Sequence, residues 1–90
     1  MSQIVQMAVA GTMESNDIYI TVAPATAGAG LAIELTSPVL KQYGKQIKAV
    51  IEAVLAENGV TEAIIKASDK GALDCTIRAR LKTALNRAMK

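Results

Sequence analysis

Residues 37–59 leave this chain the fewest folding options. Ser37 can cap a helix, and Pro38 suits a first helical position, where its missing N–H costs nothing. Leu40, Tyr43, Ile47, Val50, Ile51, Val54 and Leu55 then fall on one face at helical spacing, with Lys41, Lys45, Lys48 and Glu52 on the other. Asn58 and Gly59 stop the helix, with Gly59 in a left-handed position and Val60 folding back on the last turn. Such a stripe must be covered. The flanking segments supply the means. Leu31, Ile33 and Leu35 alternate with Ala32 and Glu34, and residues 62–68 form a short Ala- and Ile-rich run. Strand, helix and strand in that order can close as a right-handed crossover, which gives a mixed sheet.

The remaining segments extend this unit at both ends. Residues 4–13 are apolar and uncharged and read as a strand with its far end at Thr12-Met13. Glu14-Ser15-Asn16-Asp17 is turn chemistry, since short polar side chains bond nearby backbone and asparagine accepts a left-handed conformation. Ile18, Ile20 and Val22 then alternate with Tyr19 and Thr21, which completes a hairpin with Ser15 at or near its tip. Residues 24–30, PATAGAG, form a small-residue loop. Ser68 or Asp69 can cap a second helix running from about Gly71 to Ala88. Its apolar stripe is Leu73, Ile77, Leu81, Ala84, Leu85 and Ala88, with Arg78, Arg80, Lys82, Arg87 and Lys90 off the stripe. The predicted fold is a small single α+β domain over residues 1–90, in the order β-β-β-α-β-α, with two amphipathic helices on a mixed sheet.

The chain has 90 residues and 51% hydrophobic content, with no Phe, Trp or His and two Tyr, so its core must be aliphatic. Without histidine the commonest general base and metal ligand is missing. The single Cys75 excludes an internal disulfide and a cysteine-cluster metal site, and a lone cysteine suits a reducing cytoplasm. The uncharged run over 18–33 is broken by Pro24, Gly28 and Gly30 and is too short to span a membrane. The apolar patch ending in Ala8-Val9-Ala10 has no positive region before it, which argues against a signal peptide.

Charge is unevenly placed. Residues 1–37 carry Glu14, Asp17 and Glu34 and no base, whereas residues 38–90 carry all ten Lys and Arg against five acids. The basic second helix is therefore a candidate docking face, with Arg78, Arg80 and Lys82 as its candidate contacts. A solvated helix face explains the same pattern. Nucleic acid is a poorer fit, because the aromatics that stack bases are nearly absent.

Ser15 is the one hydroxyl to single out. With no histidine to activate it, it is not an ordinary catalytic nucleophile. An exposed serine on a loop can instead be an attachment point for a group added by another enzyme. Asp74, early in the second helix, is accounted for by the helix dipole. Lys70-Gly71 at the same helix start is a weak phosphate-binding pattern.

Two separated stretches carry a family resemblance. Residues 8–17, AVAGTMESND, and residues 69–81, DKGALDCTIRARL, resemble the hairpin and second-helix motifs of the acyl carrier (γ) subunit of citrate lyase. Residues 37–44, from Ser37-Pro38 to Tyr43-Gly44, resemble that family's first helix start, and the loop over 24–30 matches least. The resemblance implies a non-catalytic carrier whose Ser15 bears a phosphodiester-linked arm, 2′-(5″-triphosphoribosyl)-3′-dephospho-CoA. The thiol of that arm holds the acetyl or citryl thioester. It further implies the lyase α and β subunits and a prosthetic-group transferase as partners. The carrier subunit of malonate decarboxylase, which uses a similar arm, is the nearest alternative. A plain protein-interaction domain with Ser15 as a turn residue is the alternative from another class.

Overall fold

The computed structural model describes residues 4–89; the side chain of Leu40 and the whole of Lys90 lie outside the described parts of the chain. Its elements are β1 (Ala8–Gly11), β2 (Ile18–Ala23), β3 (Leu31–Thr36), α1 (Leu40–Glu57), β4 (Ala63–Asp69) and α2 (Asp74–Ala88). The order is the predicted one. The strands form a single sheet ordered β1-β2-β4-β3, with β1 and β2 antiparallel, β2 and β4 antiparallel, and β3 and β4 parallel. The crossover through α1 thus joins two neighbouring strands.

Period-two alternation sorts the side chains. Ile18, Ile20 and Val22 of β2 and Ala63, Ile65 and Ala67 of β4 are buried, while their alternates are half-buried or exposed. Both helices lie on the inner face, α2 over β1 and β2 and α1 beside β3 and α2. Ile47, Ile51, Val54 and Leu55 of α1 meet Ile77, Leu81, Ala84, Leu85 and Ala88 of α2 in one aliphatic core. Each fully buried Ile or Leu contributes about 1.5–3 kcal/mol relative to exposure.

Helix boundaries differ from expectation at two places, each for a local reason. The α1 C-terminus is as read: Gly59 has φ +68, its N–H donates to the Ala56 carbonyl at 3.1 Å, and the Val60 N–H donates to Leu55 at 2.9 Å. At the other end α1 starts at Leu40, two residues beyond Pro38, with no side-chain cap. The Ser37 hydroxyl instead accepts from the Val39 N–H at 3.2 Å and donates to Asp69 at 2.8 Å. Helix α2 starts at Asp74, because the Asp69 carboxyl accepts from the Ala72 N–H at 2.9 Å and organises a turn before the helix. Leu73, expected in the buried stripe, is left 71% exposed. The first strand is also shorter than the apolar run, since the Val5 and Gln6 amides both donate to the Ala88 carbonyl at the end of α2.

The topology gathers three chain passages at one end of the sheet. There β1 turns into β2, β3 runs into α1, and β4 runs into α2. Ser15 lies in the first of these.

Candidate functional site

Residues 12–17 join β1 to β2, and Ser15 is exposed within them. The Asp17 N–H donates to the Glu14 carbonyl at 3.2 Å, closing a turn over Ser15 and Asn16. Asn16 takes φ +66, the left-handed conformation that asparagine tolerates and that a type II turn needs at its third position. Among the described residues the Ser15 hydroxyl makes no hydrogen bond, so it stands free on a folded turn.

The turn is braced on two sides. The Asn16 N–H donates to the Lys70 carbonyl at 2.8 Å and the Lys70 N–H donates to the Asp17 carbonyl at 2.8 Å, which carries the β2–β4 pairing past the strand ends. The Asp17 carboxylate is the second anchor. It accepts from the Thr12 hydroxyl at 2.7 Å and from the Ile18 N–H at 2.7 Å. Arg80, nearly two turns into α2, closes the cluster with a fork: Nε donates to Oδ1 at 3.1 Å and Nη2 to Oδ2 at 3.0 Å. The Asp17 side chain keeps 13% of its surface exposed.

Hydrogen bonds from Thr12 and the Ile18 amide, with Arg80 adding to them, hold the Asp17 carboxyl at about 2, below its ordinary 3.8. A depressed pKa adds stability above the unfolded value and loses it as pH falls through the folded one. The stability difference between wild type and Asp17→Asn is therefore expected to stay flat from pH 7 to about 4 and to shrink between about 4 and 2. Paired denaturant titrations across that range check this. A difference that already shrinks between pH 7 and 5 would contradict it.

The candidate docking residues have settled places. Arg78 Nη2 donates to both Glu57 oxygens at 2.7 Å, bridging α2 to α1, and Arg80 is held by Asp17. Lys82 is exposed beside Arg78 on a polar cleft with Asn58, and among the described residues it forms no ion pair. Cys75 is exposed. Asp74 lies in the first turn of α2 and accepts from Gln46 at 3.2 Å. Among the described residues no group of three His, Cys, Asp or Glu could hold a metal ion. No helix of the described residues is long and apolar enough to cross a membrane.

Two features had no signal in the residues alone. The fork between Asp17 and Arg80 joins positions 63 apart. An apolar cleft of about 440 Å³ also opens at this end of the sheet, between Val39, Tyr43 and Ile47 of the α1 side and Gly71, Ala72 and Leu73 before α2.

A small α+β body that presents one free serine hydroxyl on a braced turn has the form of a carrier domain. Comparison with known proteins agrees. Residues 5–88 match the acyl carrier family described as malonate decarboxylase delta subunit (MdcD). The citrate lyase acyl carrier protein of Lacticaseibacillus casei is 55% identical over 86 residues, 96% of this chain and 83% of that one. That of Streptococcus equi subsp. equi is 52% identical with the same coverage, and that of Haemophilus influenzae 49%, covering 96% of this chain and 87% of its own. A chain of a Pseudomonas malonate decarboxylase hetero-tetramer superposes with a TM-score of 0.78 over 98% of this chain and 92% of that chain, at 20% identity. The last is a likeness of fold. The chain belongs to the citrate lyase acyl carrier protein family, whose members are carriers and not catalysts.

Proposed function

We propose that the chain acts as one carrier domain whose Ser15 Oγ bears the prosthetic arm 2′-(5″-triphosphoribosyl)-3′-dephospho-CoA. The observation that carries this is the free Ser15 hydroxyl on a turn fixed by Lys70 and Asp17. A modifying enzyme needs a reachable hydroxyl on backbone that already holds one shape, and this turn offers both. The residues present fit the group. Ser15 supplies the ester oxygen, and its hydroxyl is not committed to the fold. When attached, the arm supplies a thiol on a long tether. A tethered group meets several partner sites at high effective concentration, provided the body that holds it is rigid.

The reading extends to a complex in the cytoplasm in which lyase α and β subunits cleave citrate to acetate and oxaloacetate while this chain carries the acyl group, after a prosthetic-group transferase has loaded it. Of the three candidate docking residues, Arg78 and Lys82, exposed at the cleft between α1 and α2, are the docking contacts in this reading, while the Arg80 guanidinium is committed to Asp17. Citrate is favoured over malonate because relatives at 49–55% identity are citrate lyase carriers, whereas the malonate decarboxylase chain shares 20%.

Intact mass of the protein from its native source, followed by peptide mapping, tests the reading. Wild type is expected to carry the arm on Ser15. Ser15→Ala is expected to take no arm while keeping its circular dichroism and melting temperature, since the side chain supports nothing. An active native complex with unmodified Ser15 would overturn it.

A further inference from the structure

We propose that Arg80 is a positioning residue for Ser15: through its fork to Asp17 it holds the turn in the shape that the arm-adding enzyme reads. This rests on the reading of Ser15 as the attachment point.

The geometry separates Arg80 from the other bases of α2. Its Nε and Nη2 are both committed to Asp17, at 3.1 and 3.0 Å. Asp17 in turn fixes both ends of the loop, Thr12 through its hydroxyl and Ile18 through its amide. Thr12 relays the hold to the Glu14 N–H at 3.2 Å, immediately before Ser15. Asn16, immediately after Ser15, is pinned to Lys70. Every residue flanking Ser15 is thus tied to the body, directly or through one partner, while Ser15 itself is not. Arg80 is the member of this set that lies on a helix packed into the core, next to the fully buried Leu81. It links the loop to a helix whose inner face is fully buried.

The consequence is a population effect. If the turn holds one shape, the modifying enzyme finds nearly every molecule competent. If the brace is cut, the competent fraction falls, and apparent affinity falls by the same factor with turnover on the bound complex unchanged. A direct contact between Arg80 and the enzyme would also raise KM, so the discrimination lies in the partner and in the conservative variant. Asp17 is mostly covered and acts only through the brace. Lysine at position 80 keeps the charge but cannot form the fork.

The test uses purified transferase and its activated arm donor, with loading followed by intact mass, on wild type, Asp17→Asn, Arg80→Gln, Arg80→Lys and the Asp17→Asn/Arg80→Gln double variant. Amide exchange at Asn16 is followed in parallel, with Ile51 in the core as reference. Both single variants are expected to raise KM roughly tenfold with kcat unchanged, for a brace that fails in about nine molecules of ten. The double variant is expected to be no worse than the singles, and Arg80→Lys to stay impaired. Asn16 exchange should accelerate while Ile51 holds. Normal loading of Asp17→Asn, or restoration by Arg80→Lys, overturns the inference and returns Arg80 to direct docking. A wild-type chain that takes no mass at Ser15 overturns the attachment reading and this inference together.

Discussion

Gly11→Ala is expected to destabilise the protein by about 3 kcal/mol or more, a large part of the 5–15 kcal/mol typical of a small domain. Two costs coincide there. Gly11 has φ +94, a region L side chains rarely enter. A Cβ built at Gly11 would also clash with the Ile18 carbonyl oxygen. That oxygen is backbone, at the first residue of β2, and Ile18 is fully buried. It cannot swing aside as a side-chain tip would. Either β1 separates from β2, which exposes Ala10, or the whole turn shifts and breaks the Thr12–Asp17 contact. Gly28→Ala is the control. Gly28 has φ +82 but nothing within 4 Å of its would-be Cβ, so it carries the conformational cost alone, about 1–2 kcal/mol. Denaturant midpoints at unchanged m separate the two contributions. A Gly11→Ala protein as stable as Gly28→Ala would mean that the close approach to Ile18 is readily relieved.

What could be read from the residues alone follows the range of the forces involved. The alternation of Ile18, Ile20 and Val22, the stripe from Ile47 to Leu55 and the Asn58-Gly59-Val60 stop are local patterns, and each appears in the structure where it was expected. The turn at Ser15 was legible for the same reason, since Asn16 states the left-handed position directly. The helix starts were misplaced by two or three residues because Ser37 and Asp69, both good caps by type, spend their side chains on each other and on the connecting turns. Leu73 has the spacing of a core residue, yet it precedes the first helical residue and so escapes the stripe. Strand order and the Asp17–Arg80 fork depend on which distant segments meet. Nothing in the period of either segment encodes that meeting, so a residue that looked like a free base on a helix face proves to be engaged across the fold.

Asp69→Ala is expected to be the second most damaging substitution at this end of the molecule, lowering stability by about 2–4 kcal/mol. Asp69 ends β4, is 1% exposed, and among the described residues is the one polar or charged side chain in the buried set. Its two oxygens serve different connections: Oδ2 accepts from Ser37 in the passage to α1, and Oδ1 accepts from Ala72 in the passage to α2. Removing the carboxyl takes the acceptor away from the half-buried Ser37 hydroxyl and Ala72 amide together, and a donor left unsatisfied away from water costs about 1–3 kcal/mol. Asp69→Asn should be far milder, about 1 kcal/mol. The amide oxygen can still accept from Ala72, and the Ser37 hydroxyl, which already accepts from Val39, can accept from the new amide as well. Ser37→Ala should fall between them, because it leaves Oδ2 unpartnered but spares the Ala72 bond. That ranking tests whether the carboxyl works as a two-sided tie or merely fills space, since a space-filling role would make Asn and Asp equivalent and Ser37 irrelevant. Lys70, the residue that pins Asn16, follows Asp69 directly, so loss of the tie should also speed amide exchange at Asn16. Faster exchange there in Asp69→Ala but not in Asp69→Asn would show that the buried tie and the exposed serine turn form one mechanical unit. Unchanged exchange in both would confine Asp69 to the helix connections.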